Sequence, residues 1–162
     1  MSLMKINKME GKWLAFIRIV MGWLMFYAGI TKVMDPQWSA SGYAKSAKTL
    51  TSIYNFFASP EQIGWVNFVN KWGLTLIGIS LILGIGVRLS SSLGAVLMVF
   101  YYLPALRFPY AGDHGYIVDE HIIYASLMIY LAIVRAGRFW GLEKWFGKIF
   151  LKKAPFVQKY WG

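Results

Sequence analysis

Long apolar runs separated by short polar segments dominate the chain. The first run covers about residues 13–34, is interrupted only by Arg18 and Lys32, and stops at an Asp-Pro pair. Two further runs cover about residues 62–87 and 89–107. Because about 20 apolar residues in a helix cross a bilayer, each of the three runs predicts a transmembrane helix.

A fourth apolar run is shorter, since its uninterrupted part extends only from Ile122 to Val134. To cross a bilayer it has to include the residues before it, so we expect a fourth span at about residues 117–138. The whole pattern predicts an all-α integral membrane protein, a four-helix bundle in a single domain covering residues 1–162. The first turns of the fourth span then contain Asp119, Glu120 and His121.

Two amphipathic segments are expected outside the spans. Between helices one and two, the segment from Tyr43 to Phe57 has apolar residues at three- and four-residue spacing, which is typical of a helix on the membrane surface. A disordered loop is the alternative for this segment. After the fourth span, the apolar residues from Trp140 to Phe150 recur at helical spacing within a basic tail, which predicts an amphipathic C-terminal helix.

Composition and charge agree with a membrane protein. Of 162 residues, 57% are apolar and 15% are charged, and the net charge is +10. Such a charge in a soluble protein would suggest nucleic acid, but here the basic residues flank predicted helix ends, so we expect no nucleic-acid partner. More of them lie on the side that holds both termini, which predicts a cytoplasmic membrane protein with both termini in the cytoplasm.

The chain contains no cysteine, which excludes disulfides, thiolate metal sites and iron–sulfur ligation. Asp119, Glu120 and His121 are consecutive, so on a helix they point about 100° apart and do not all reach one ion. His114 and His121 have no supporting ligand spacing. We therefore expect no metal and no haem.

Ionisable residues within the spans are the candidates for function, because each costs roughly 2.5–3.5 kcal/mol to insert. Arg18 and Lys32 share a face of the first helix with Gly22 and Gly29, and small residues mark close helix contacts. That face should point into the bundle. The second helix has a similar stripe, formed by Asn67, Lys71, Thr75 and Gly78.

We expect Lys32 and Lys71 to face Asp119 and Glu120 in the outer half of the bundle. Three interpretations remain open: the charges neutralise one another and fix helix register, they line a pocket for an anion or a quinone head group, or the lysines extend to the interface. The candidate substrate- or quinone-binding residues are Arg18, Lys32, Lys71, Tyr101, Tyr102, Asp119, Glu120 and His121. His114 is within plausible reach of this cluster.

Three stretches, taken in order, resemble the DoxX/DoxD family of membrane proteins. They are Arg18–Gly22 continuing to Tyr27–Lys32, then Gly84–Leu89, then Asp119–His121 through Arg135–Glu143. The resemblance covers nearly the whole chain and implies a four-helix prokaryotic membrane protein. The best characterised function in that family is the DoxD subunit of thiosulfate:quinone oxidoreductase, which pairs with a DoxA subunit, oxidises thiosulfate to tetrathionate and reduces membrane quinone.

The resemblance implies a membrane subunit of a quinone-linked respiratory oxidoreductase with quinone as cofactor. The expected partners are the lipid bilayer and a DoxA-like or other respiratory subunit, and an oligomer is also possible. Thiosulfate would be drawn to Arg18, Lys32 or Lys71. The chain contains no DoxA-like domain, so the alternative is a non-catalytic accessory or scaffold subunit of a respiratory or redox-stress complex. Solute transport is less favoured, because the sequence shows no inverted repeat.

Overall fold

The computed structural model describes residues 7–112 and 115–150, which are mostly helical. Three two-residue strands form a small antiparallel sheet between α5 and α6, in the order β1-β2-β3: β1 (Leu106–Arg107), β2 (Tyr110–Ala111) and β3 (Gly115–Tyr116). The helices are α1 (Lys8–Met34), α2 (Ser41–Lys45), α3 (Thr51–Phe57), α4 (Ile63–Leu83), α5 (Val87–Ala105), α6 (Glu120–Ile133) and α7 (Glu143–Phe150).

Three helices, α1, α4 and α5, are long and apolar enough to cross a membrane, with 27, 21 and 19 residues. They confirm the first three predicted apolar helices, with shifted ends. Asn7 caps α1 through reciprocal hydrogen bonds with Glu10, so the helix starts before residue 13. Gly84, with φ 68°, ends α4 earlier than the predicted residue 87.

The helix at the predicted fourth span, α6, is shorter than the predicted span and has 14 residues. At about 1.5 Å per residue it extends about 21 Å, less than the roughly 30 Å of a hydrocarbon core. The Asp119 side chain accepts hydrogen bonds from the backbone N–H groups of His121 and Ile122, so it caps the helix instead of lying inside it. At the other end, Arg135 adopts a left-handed φ of 52° and leads into a single 3-10 turn.

The predicted surface helix over residues 43–57 is instead two short helices, α2 and α3, because Leu50 adopts a left-handed φ of 54° between them. Both pack against the end of α5. Pro104 lies inside α5 and has no N–H, so the carbonyl of Phe100 has no helical partner four residues later. The Tyr54 hydroxyl donates to that carbonyl at 2.8 Å.

Small residues bring α1 and α4 into close contact. A Cβ atom added at Gly78 would overlap the backbone of Phe26 on α1, and one at Gly29 would overlap Thr75 on α4. A Cβ atom added at Gly22 would lie only 2.9 Å from both the Cβ of Leu81 and the backbone nitrogen of Ile82. Arg18, Gly22, Met25 and Gly29 are all buried, which confirms most of the predicted inward-facing stripe of α1, while Lys32 at its end is only half-buried.

The remaining helices pack around this contact, α6 against α5 and α5 more loosely against α4. The core is built from methionine and leucine side chains with exposures of 3% or less: Met21, Met25, Leu74, Leu81, Met98, Met128 and Leu131. Large apolar side chains also cover the outside of the spans, which is consistent with contact to lipid. Those on α1 include Trp13, Phe16, Trp23 and Tyr27.

We predict that Gly78→Ala destabilises the protein by about 1–3 kcal/mol, because the added methyl group forces α1 away from α4. Gly73→Ala on the same helix is the matched control, since a Cβ there meets only Val69 at 3.9 Å. Unfolding in mixed detergent, followed by circular dichroism, measures both. Equal stabilities for the two variants would contradict the close contact.

We also predict that Tyr54→Phe costs about 1 kcal/mol, the usual net value of one hydrogen bond. In a Pro104→Ala background the cost should fall, because the restored N–H of residue 104 can donate to the Phe100 carbonyl. A double-mutant cycle in the same unfolding assay measures the coupling. Identical costs in the two backgrounds would show that Pro104 is not the reason for the contact.

Candidate functional site

A cavity of about 170 Å³ lies between the surface helices α2 and α3 and the membrane helices α4 and α5. An apolar cavity of about 150 Å³ in another protein holds benzene, so this cavity is large enough for one aromatic ring. We call it the tyrosine cavity. Its lining residues are Ala40, Tyr43, Ala44, Tyr54, Phe57, Trp65, Val66, Val69, Asn70, Leu97, Phe100 and Tyr101.

The hydroxyl groups of the three cavity tyrosines all donate hydrogen bonds within the protein. Tyr101 donates to Oδ1 of Asn70, whose own Nδ2 donates to the Val66 carbonyl at 2.8 Å. Tyr43 donates to the Tyr101 carbonyl at 2.5 Å, and Tyr54 donates to the carbonyl released by Pro104. These bonds fix the positions of the phenol oxygens at the wall of the cavity.

The two tyrosines of the surface helices are held in the neutral form. Burial raises the pKa of Tyr43, and the nearby carboxylates of Asp119 and Glu120 raise it further. Burial, with a smaller contribution from Tyr43, raises the pKa of Tyr54 to about 12. Near neutral pH both side chains therefore carry a proton that can be donated in a hydrogen bond.

A carboxylate–imidazole pair lies beside the cavity wall. Nδ1 of His121 is 2.8 Å from Oδ2 of Asp119, and the imidazole ring packs edge-on against the Tyr101 ring, with 5.8 Å between centroids. The His121 side chain is 23% exposed. The imidazole therefore contacts both Asp119 and Tyr101 while part of it remains exposed.

Lys32 and Lys71 meet at Trp38, in the segment between α1 and α2. Their Nζ atoms lie 5.5 and 5.7 Å from the indole ring centroid, within the range of a cation–π contact. Nζ of Lys32 donates to the Ala28 carbonyl at 2.8 Å, and Nζ of Lys71 donates to the Asp35 carbonyl at 3.2 Å. We call this group the lysine pair.

The expectation that the lysine pair faces Asp119 and Glu120 is wrong. Within residues 7–112 and 115–150, neither lysine forms an ion pair with a carboxylate. The reason is the pairing of the helices: α1 packs on α4, which brings the two lysines together, whereas α6 packs on α5. Asp119 is occupied by the N–H groups at the start of α6, and Glu120 is exposed.

Tyr102, another predicted residue, does not line the tyrosine cavity. The Tyr102 hydroxyl donates to the Ile117 carbonyl and so holds the segment that precedes α6. His114 lies outside the described residues. In the described part of the chain, no three His, Asp or Glu side chains come close enough to hold a metal ion.

Arg18 belongs to a different site, about 21 Å from Lys32 along α1 at about 1.5 Å per residue. It is fully buried, and its guanidinium donates to the carbonyls of Ala136 at 2.9 Å, Phe139 at 3.2 Å and Trp140 at 3.3 Å. Because these donors are directed at the chain's own backbone, Arg18 fastens the segment after α6 to α1 and does not face the tyrosine cavity.

Sequence reasoning missed Glu143, which lies beside Arg18 and is 6% exposed. Its Oε2 accepts from the Val87 N–H at 3.4 Å, at the start of α5. Burial raises the pKa of Glu143, while the charges of Arg138 and Arg18 oppose that shift. A single acidic residue in an otherwise basic tail was the available signal, but only the fold shows that it lies near Arg18.

Asn70, Tyr43 and Trp38 were also absent from the predicted site. Asn70 is a buried amide within a transmembrane helix, and a polar residue at that depth is a signal that could have been used. Tyr43 and Trp38 lie in the polar connection between α1 and α4, where the sequence gives no sign of contact with the membrane helices.

Comparison with known proteins gives a family match that includes the whole tyrosine cavity. A family model described as DoxX matches residues 13–106, more than half of the chain, and the match ends before α6. No curated protein and no solved structure matches the chain significantly. The matched range contains the lysine pair and two of the three stretches that resemble the family, Arg18–Lys32 and Gly84–Leu89. The protein therefore belongs to the DoxX family of membrane proteins.

Proposed function

We propose that this protein is the membrane subunit of a quinone-linked oxidoreductase and that the tyrosine cavity receives the quinone head group. The cavity carries the proposal, because it combines space for one ring, mostly apolar walls and phenol groups at its edge. Membership in the DoxX family, which is sometimes linked to quinone oxidoreductases, supports it.

The phenol groups suit the chemistry of a quinone. Its two carbonyl oxygens accept hydrogen bonds, and they take up two protons when two electrons reduce the ring. On binding, the hydroxyl of Tyr101 would turn from Asn70 to one quinone oxygen, and that of Tyr43 would turn from its backbone acceptor. The His121–Asp119 pair packs against Tyr101 and is partly exposed, so we propose that protons from the surface reach the quinone through it.

For the electron donor we propose thiosulfate. Two thiosulfate dianions joined as tetrathionate release two electrons, which together with two protons convert one quinone to quinol. The lysine pair supplies two positive charges with no carboxylate partner among the described residues, so an anion there would offset their desolvation. We place the oxidation step in a complex with a DoxA-like partner.

We further propose four membrane crossings, with α6 completed by the segments on either side of it. Its 14 residues are mostly apolar, and it packs along α5. Four crossings place both termini in the cytoplasm, on the side richer in lysine and arginine. The tyrosine cavity and the lysine pair then lie at the outer face of the membrane.

We predict that Tyr101→Phe weakens quinone binding roughly tenfold, the effect of losing one hydrogen bond of about 1.4 kcal/mol. Tyr130→Phe is the control, because Tyr130 is exposed on α6 away from the cavity. Titration of a tail-less benzoquinone, followed by quenching of tryptophan fluorescence, measures both. Binding that is unaffected by Tyr101→Phe would remove this phenol from the quinone site.

We predict that Lys71→Ala abolishes thiosulfate-dependent quinone reduction in a reconstituted complex, because one of the two charges that attract the anion is lost. Lys12→Ala is the control, since Lys12 is exposed near the opposite end of α1. Steady-state rates at several thiosulfate concentrations are the measurement. Turnover equal to that of the unmodified protein would exclude a role for Lys71 in thiosulfate oxidation.

A further inference from the structure

An open apolar groove of about 710 Å³ runs between α4 and α5 on the outside of the protein. From Val69 to Leu83 it extends about 21 Å along α4, at about 1.5 Å per residue, which is about two thirds of a hydrocarbon core of roughly 30 Å. Its walls include the exposed side chains of Leu76, Leu83, Leu89, Leu93 and Val96.

The groove offers little to a polar ligand. Ser80 and Ser90 are the hydroxyl residues in its lining, and both are already engaged. Ser80 donates to the Ile85 carbonyl at 2.5 Å, and Ser90 donates to the Gly86 carbonyl at 3.2 Å. An occupant therefore has to be apolar along its whole length.

The groove adjoins the tyrosine cavity. Val69, Leu97 and Phe100 line both spaces, so the cavity lies next to the end of the groove that is nearest to the surface helices. A helix from a neighbouring protein is too wide for a cavity of about 170 Å³. A molecule with one small ring and one long apolar chain fits both spaces at once.

We infer that the groove between α4 and α5 binds the polyprenyl tail of a membrane quinone whose head group occupies the tyrosine cavity. This inference rests on the proposed function. When the tail moves from lipid into the groove, it exchanges one apolar environment for another, so no hydrophobic free energy is gained. The tail instead packs against the groove walls and becomes ordered there. The groove therefore acts mainly by orienting the ring, and it distinguishes long-tailed quinones from tail-less ones.

The chain offers a matched pair of glycines on α4 to test this. A Cβ at Gly73, which lines the groove, meets only Val69 Cγ1 at 3.9 Å, so the backbone there has room for a side chain and Gly73→Phe adds a ring at the groove. Gly64→Phe is the control, because nothing lies within 4 Å of its Cβ position and Gly64 lines neither space. Leu93→Trp narrows the groove from the α5 side and serves as a second variant.

Full-length protein in lipid nanodiscs is titrated with a tail-less benzoquinone and with the same head group carrying a long polyprenyl tail. Quenching of tryptophan fluorescence reports binding, since Trp65 lines the cavity. We expect Gly73→Phe and Leu93→Trp to weaken binding of the tailed quinone at least fivefold and to leave the tail-less compound unchanged. Gly64→Phe should alter neither.

If both groove variants bind the tailed quinone as tightly as the unmodified protein does, the tail site is overturned. The proposed function still stands in that case, provided that the tail-less compound binds. If neither quinone binds the unmodified protein, the proposed function and the tail site both fail. The mass of the nanodisc complexes tests the other candidate occupant of the groove, a second copy of the chain. A dimer of the unmodified protein that Gly73→Phe converts to a monomer, with quinone binding unaffected, would assign the groove to a second copy of the chain.

Discussion

The close contact between α1 and α4 determines where the other features lie. Gly29 and Gly78 let the two backbones approach until almost no space remains between them. One face of α4 is therefore fully covered by α1. Lys32 and Lys71 are carried on this helix pair and therefore meet at Trp38. The opposite face of α4 packs loosely against α5, which leaves both the groove and the tyrosine cavity open.

A second constraint is that backbone groups at membrane depth need hydrogen-bond partners. Pro104 releases the Phe100 carbonyl near the end of α5, and the surface helices satisfy it through the Tyr54 hydroxyl. The backbone N–H of Lys48 donates to the Pro104 carbonyl at 2.9 Å. These bonds hold α2 and α3 against the end of α5, where they form one wall of the tyrosine cavity. The proline that removes a hydrogen bond from α5 therefore also helps to position that wall.

The two ends of the protein use charge differently. At the end that holds Arg18, a guanidinium and the Glu143 carboxylate are buried together and bind backbone groups, which fastens the chain after α6 to α1 and α5. At the end that holds the lysine pair, cations lie at a partly exposed indole ring and carbonyl oxygens. The charges near Arg18 are buried and bind backbone groups, which suits a structural role. The two lysines have no carboxylate partner among the described residues, which suits an anion.

By itself the sequence determined three apolar helices, the inward face of α1 and the DoxX family, because bilayer thickness and small-residue spacing are local and periodic properties. It misplaced the ends of α6 and the partners of the lysines. Those depend on which helices are neighbours and on side chains such as Asp119 and Tyr54 that bind backbone groups distant in the sequence or at a helix start. Only the tertiary structure decided that Asn70, Tyr43 and Tyr101 surround one cavity, since contacts between residues far apart in the chain leave no periodic signal.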